Sequence, residues 1–207
     1  MAWQEEEAAI FEWYEDDVRR RERERTERAT ERPILFYGSS SINFWETLEQ
    51  SFPDQPVLNA GFGGSTLAAC IYYFERLVVP AAPRSIVFYA GDNDLGDGQM
   101  PDAVLSSLHL LQQKVATQLG ETPFAFISIK PSIQRFGIID RINAVNTGAQ
   151  RLLAERPQSF YIDIATPSLQ NNGMPQASLY GDDGLHLSQH GYALWTQVIR
   201  CYLPRLM

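Results

Sequence analysis

This sequence has little with which to hold a metal, cross a membrane or grip a nucleic acid. Its two cysteines, Cys70 and Cys201, lie in apolar helical patterns without a close second cysteine or histidine. That spacing excludes a zinc knuckle and predicts two buried free thiols, although geometry alone would decide whether they pair. No apolar run approaches the roughly 20 residues needed to span a bilayer. The amino terminus is acidic where a secretory leader would be positive and then apolar. A soluble, cytoplasmic chain is expected, and a chain trimmed of its leader would read the same way. Basic charge is also short, with 17 Lys and Arg against 25 Asp and Glu and a formal net charge of -8. A clustered basic face able to release phosphate counterions is missing, so nucleic acid is not an expected partner.

What is present is material for a core. With 207 residues and 44% hydrophobic content, one main domain can bury a substantial interior. Residues 1–32 stand apart, carrying 11 acidic and 7 basic residues. Glu15–Arg19, Asp16–Arg20, Asp17–Arg21 and Glu24–Arg28 are acid-before-base pairs four residues apart, the favourable order on a helix. Ile10, Tyr14 and Val18 form a narrow apolar stripe, with Trp3, Phe11 and Trp13 nearby. The segment is expected to be a charged amphipathic helix, solvated on most of its surface and packed on the main domain, residues 33–207, or on a second subunit. The helix and the many aromatics also suit a homodimer, a state the sequence leaves open.

From Pro33 onward, short apolar runs alternate with longer helical patterns. Five strands are predicted, over 34–37, 56–59, 85–90, 124–129 and 160–164, each too continuously apolar to have one wet face. Helices are expected near 66–78, 101–119, 139–155 and 189–203. Pro101 suits a first helical turn, whereas Gly148 weakens the centre of the third helix. Right-handed crossovers then give an α/β fold, a three-layer α/β/α sandwich on a five-stranded parallel sheet, with loops gathered at its carboxyl edge.

Polar clusters fall at that edge. Gly38-Ser39-Ser40-Ser41 follows the first strand, Gly61-Phe62-Gly63-Gly64-Ser65 the second, and Gly91-Asp92-Asn93-Asp94 the third. Asp183-Gly184-Leu185-His186 precedes the last helix, for which Ser188 is the expected cap. Acyl transfer from an ester needs a nucleophile, a base, a carboxylate to orient the base, and donors for the developing oxyanion. The four clusters contain one of each.

In these four blocks, taken in order from about Ile34 to Leu203, the sequence resembles the SGNH hydrolases, also called GDSL esterases and lipases. The resemblance implies a flavodoxin-like sandwich and a serine esterase acting on a small-molecule ester without a cofactor or metal. It implies Ser40 as nucleophile, His186 as base and Asp183 as its orienter. The oxyanion donors it implies are the N–H groups of Ser40 and Gly64 and the side-chain amide of Asn93, with Asn59 and Gly61 shaping a turn. Ser39 stands where the name-giving motif has aspartate, and its hydroxyl is expected to accept from backbone amides instead. The spacing to Trp45 and the position of Gly38 favour Ser40 over Ser39 and Ser41.

Rival readings are weaker. His109 lies mid-helix without an acidic partner nearby in sequence. His190, with Asp182, Asp183 and His186, invites a metal reading, but a cap at Ser188 breaks the single helical face such a site needs. The glycines at 61, 63 and 64 lack a following Walker lysine or dinucleotide spacing. Asp163 and Asp182 read as turn carboxylates. Loops at 130–140 and 165–181 are expected to build the pocket, lined by Arg135, Phe136 and Tyr180. The lack of a long apolar lid favours short or polar acyl groups. A carbohydrate O-acetyl esterase or acyltransferase would use the same residues, and a non-catalytic binding module of the same fold is the rival from another class.

Overall fold

The computed structural model describes residues 10–207, so the expectation for Trp3 lies outside the described residues. Among the described residues, a 3-10 turn (Glu12–Tyr14) leads into helix α1 (Glu15–Arg28), then come β1 (Ile34–Gly38), two single-turn helices α2 (Ser40–Asn43) and α3 (Leu48–Ser51), and β2 (Val57–Gly61). There follow α4 (Leu67–Leu77), β3 (Ser85–Tyr89), α5 (Asp92–Gly96), α6 (Pro101–Leu119), β4 (Phe124–Ile127), α7 (Ile139–Ala154), β5 (Ser159–Ile162) and α8 (Gln189–Arg200). The strands form one five-stranded sheet in the order β2-β1-β3-β4-β5, and each pairing is parallel. This is the expected α/β/α sandwich.

Parallel strands are covered on both faces, and the core divides accordingly. One face packs Leu35, Tyr37, Ile86 and Phe88 against Val18 of α1, Phe74 of α4, Leu111 of α6 and Val145 of α7. The other packs Ile34, Phe36 and Val87 against Ile42, Trp45 and Leu48 and against Trp195 and Ile199 of α8. Strand β1 is buried at every position. The edge strand β5 is not: Ser159, Phe160 and Tyr161 are only partly buried, a correction to the expectation that every strand is buried on both sides.

The chain runs outward from β1 to β2 and returns past β1 to β3. The switch in direction therefore falls between β1 and β3, where open α/β sheets form their ligand crevice. Gly38 at the end of β1 is in register with Tyr89 at the end of β3. A Cβ there would lie 1.9 Å from the Tyr89 carbonyl oxygen, and the φ of +131° lies in glycine's own region. The Gly38–Ser41 turn and the Gly91–Asp94 turn thus leave the sheet side by side. Gly148 does not interrupt α7. It lets α6 approach, since a Cβ at 148 would sit 2.4 Å from a Leu105 methyl.

Two local expectations are corrected. Of the four acid-before-base pairs in α1, only Glu15–Arg19 forms, at 2.9 Å. Arg20 pairs with Asp17 at 2.6 Å and Glu24 at 3.4 Å, Arg28 reaches Glu49, and Arg21 is buried. Exposed pairs of this kind are worth about 0–1 kcal/mol, too little to hold a side chain that has better tertiary partners. Cys70 is buried and free, whereas Cys201 is exposed and free, because α8 ends at Arg200 and the cysteine follows it.

Candidate active site

The turn after β1 presents one serine of three. Ser39 is extended and donates its N–H to the Tyr89 carbonyl at 2.9 Å, while its own carbonyl accepts from Ile42 and Asn43. Its side chain makes no capping bond, so the acceptor role expected of the hydroxyl is not taken up. Ser39 and Ser41 are 2% and 1% exposed, leaving only the half-buried Ser40 accessible to a substrate. Ser40 opens α2, where N–H groups have no intrahelical acceptor.

The loop after β2 lies beside α2. The Asn59 amide donates to the Ile42 carbonyl at 2.7 Å and its oxygen accepts the Gly61 N–H at 2.9 Å. Asn93, the second residue of α5, donates to the Ser65 carbonyl at 3.1 Å, so it bridges two loops instead of closing its own turn. One amide hydrogen of Asn93 is left over. Among the described residues, the N–H groups of Ser40 and Gly64 likewise have no hydrogen-bond acceptor.

Asp94 was assigned no role in the sequence, yet it is buried and accepts the Leu67 N–H with both oxygens, at 3.1 and 3.2 Å. It fixes the start of α4 against α5. Burial pushes its carboxyl up to about 6, partly offset by the Leu67 N–H.

On the carboxyl-terminal side, Asp183 and His186 share one tight turn. Asp183 Oδ1 accepts the Leu185 N–H at 2.9 Å and the His186 N–H at 3.0 Å, and Oδ2 lies 2.5 Å from His186 Nδ1. The Leu185 N–H, then the His186 ring, hold the carboxyl down at about 2. Nδ1 is thereby committed to the carboxylate and Nε2 is left for other work. Among the described residues, no hydrogen bond joins Ser40 Oγ to His186. The link between them is Phe44, four residues after Ser40, whose ring meets the imidazole edge-on at 5.1 Å between centroids. Catalytic hydrogen bonds are commonly long without substrate. Ser188 caps α8 as expected, accepting the Gly191 N–H at 3.2 Å.

Beneath the turn after β3 lies a polar cluster that the sequence reading missed. Lys130 is 1% exposed and donates to Asp92 Oδ2 at 2.8 Å and to the Tyr89 hydroxyl at 3.1 Å. Burial pushes its ammonium down, but Asp92 and Tyr89 outweigh this and hold it above its ordinary value. The available signal was a lysine at the end of the apolar run 124–129. Arg135 lies near the same carboxylate, with Nε 3.7 Å from Asp92 Oδ1, and its guanidinium covers Gly96. Tyr180 is buried and donates to the Pro131 carbonyl at 2.8 Å, so it braces a loop where it was expected to line the pocket. A cavity of about 390 Å³ flanks Phe44, bounded by Glu46, Thr47, Leu187, Gln189 and Tyr192.

The other two histidines stand elsewhere. His109 meets Gln113 on the outer face of α6 at 2.8 Å, and His190 is exposed. Asp163 caps a single turn through the Thr166 N–H at 3.0 Å. Among the described residues, no group of three His, Cys, Asp or Glu side chains is placed to hold a metal, and no helix is long and apolar enough to cross a membrane.

The sequence model of the GDSL-like lipase/acylhydrolase family matches residues 26–194, so most of α1 precedes the matched segment. No curated protein matches the chain. Among solved structures, a Streptococcus pneumonia protein provisionally described as a platelet activating factor superposes with a TM-score of 0.84 at 22% identity, covering 98% of both chains. A GDSL-like lipase from Bacteroides thetaiotaomicron gives 0.71 at 17% identity, covering 85% of this chain and 89% of its own. A lipase/acylhydrolase from Enterococcus faecalis gives 0.70 at 21% identity, covering 85% and 97%. At these identities the likeness is one of fold.

Proposed function

Because the chain belongs to the GDSL-like lipase/acylhydrolase family, whose model spans residues 26–194, we propose that it is a serine esterase using Ser40, His186 and Asp183. The observation that carries this reading is the 2.5 Å contact of Asp183 Oδ2 with His186 Nδ1, on an imidazole packed against Phe44, the residue that follows the helix Ser40 opens. A carboxylate held ionised fixes the tautomer in which Nε2 is the base.

Neutral His186 takes the Ser40 hydroxyl proton as Oγ attacks the acyl carbonyl. The tetrahedral oxyanion is met by the N–H groups of Ser40 and Gly64 and by the spare amide hydrogen of Asn93. One such donor is typically worth about 10² to 10³ in rate. The histidine then protonates the leaving alkoxide, and the acyl group remains on Ser40 as an ester. Water, deprotonated by the same histidine, attacks that ester, and the acid is released as the acyl–Oγ bond breaks and Ser40 Oγ takes the proton back from His186. Protein groups supply every proton transfer in this scheme.

The lack of a long apolar lid segment in the loops at 130–140 and 165–181 supports short or polar esters as substrates. Turnover of nitrophenyl acetate by wild type and Ser40→Ala tests the assignment. The variant is expected to lose all but background hydrolysis, and retained turnover would remove Ser40 from the reaction.

A further inference from the structure

Helix α1 does more than cover the core. Asp17 Oδ2 accepts the Gly63 N–H at 2.7 Å, and the Tyr14 hydroxyl donates to the Gly64 carbonyl at 3.2 Å. Arg21, 7% exposed, donates through Nε to the Gly61 carbonyl at 2.8 Å. Through one terminal nitrogen it donates to the Asn43 carbonyl at 2.9 Å and to Asn43 Oδ1 at 2.8 Å. Arg20 adds a bond to the same Oδ1 at 2.7 Å. Asn43 ends the single turn that Ser40 begins. The side chains of α1 therefore hold both the loop carrying Gly64 and the helix carrying Ser40.

The same helix has a separate anchor. Arg76 on α4 pairs with Glu15 at 2.9 Å and Glu22 at 2.8 Å, and Arg25 donates to the Arg76 carbonyl at 2.7 Å. These contacts secure α1 to α4 without touching the site loops. Docking the helix and gripping the loop are thus done by different residues and can be separated by mutation.

We propose that Asp17 and Arg21 are positioning residues of the esterase site, clamping the Gly61–Gly64 loop to the nucleophile helix so that the Gly64 and Ser40 N–H groups converge. The assignment rests on the esterase reading above. Oxyanion donors act only within about 2.7–3.1 Å of the developing charge, and a displacement near 1 Å costs about 10²-fold. The planar fork of Arg21 reaches two separate segments at once, which a lysine cannot reproduce. For Asp17, burial raises the carboxyl, while the Gly63 N–H and Arg20 outweigh it and hold it below its ordinary value.

The test compares Asp17→Ala, Asp17→Asn and Arg21→Lys with Arg76→Ala in the full chain. Asp17→Ala and Arg21→Lys are expected to lose kcat by roughly 10- to 100-fold with KM little changed, since the displaced donor matters most in the transition state. Asp17→Asn keeps an acceptor for Gly63 and is expected to retain most of the rate. Arg76→Ala is expected to lower Tm without that loss of kcat. Amide exchange at Gly63, whose N–H Asp17 accepts, measured in the same proteins, should accelerate in Asp17→Ala and not in Arg76→Ala. Equal exchange in the two, or a kcat that follows Tm alike in all of them, would overturn the proposal. A wild type without ester turnover would instead defeat the esterase reading, leaving the exchange comparison to decide the clamp.

Discussion

Asp183 binds His186 twice, accepting its backbone N–H with Oδ1 at 3.0 Å and meeting Nδ1 with Oδ2 at 2.5 Å, while Oδ1 also accepts the N–H of the intervening Leu185. Carboxylate, turn and imidazole are one unit. The carboxyl is lowered to about 2, so Asp183 stays ionised wherever the fold survives, and what it contributes is lost only as pH falls through that value. The Asp183 carboxyl is accordingly expected to stay out of the acid limb of kcat/KM, leaving that limb with a slope of one. A limb of slope two would contradict this. Asp183→Asn would offer Nδ1 an amide hydrogen and favour the wrong tautomer, lowering kcat on the order of 10³- to 10⁴-fold with the fold intact.

Lys130 and Asp92 form a buried pair at 2.8 Å under the turn that carries Asn93. Removing Lys130 leaves the buried Asp92 carboxylate with only the longer 3.7 Å contact to Arg135, so Lys130→Met is expected to destabilise by about 3 kcal/mol in urea denaturation. The double variant Lys130→Met with Asp92→Asn should recover much of that loss. A single variant as stable as wild type would show that the pair is dispensable. Because the folded pKa of Lys130 is raised, the pair's contribution is complete below lysine's ordinary value and fades only in strong alkali.

Asp94 carries the opposite sign. Its folded pKa of about 6 stands above the ordinary 3.8, so between those values the folded state holds the proton more tightly and stability falls as pH rises. Asp94→Asn keeps an acceptor for the Leu67 N–H without a charge. It is expected to flatten the decline between pH 4 and 6 and to be the more stable protein at pH 8, on the order of 1–2 kcal/mol. Parallel denaturation curves for the two proteins across that range would refute the assignment.

These residues show where the sequence was legible. Strands such as 34–37 and 85–90 were readable because burial on both faces leaves continuous apolar runs, and the observed β1 and β3 differ by one residue at an end. The clusters at 38–41 and 91–94 were readable because strand ends in this topology share an edge. Arg21 and Asp17 were not, because the helical charge rule considers only neighbours on the same helix, whereas their partners are backbone atoms more than 20 residues away. Cys201 was misread because an apolar pattern does not say where a helix stops. Lys130 was missed because its partner comes from another strand's turn. Local periodicity reports burial well; it carries no information on which distant loop a polar atom will meet.

The central claim is that Ser40, alone of the three adjacent serines, is the nucleophile. Labelling with a fluorophosphonate followed by peptide mass spectrometry tests it most directly, in wild type and in Ser39→Ala, Ser40→Ala and Ser41→Ala. The adduct is predicted on Ser40 in wild type and in the Ser39 and Ser41 variants, and is predicted to vanish in Ser40→Ala. An adduct on another residue, or folded wild-type protein that hydrolyses esters yet takes no label at Ser40, would contradict the account.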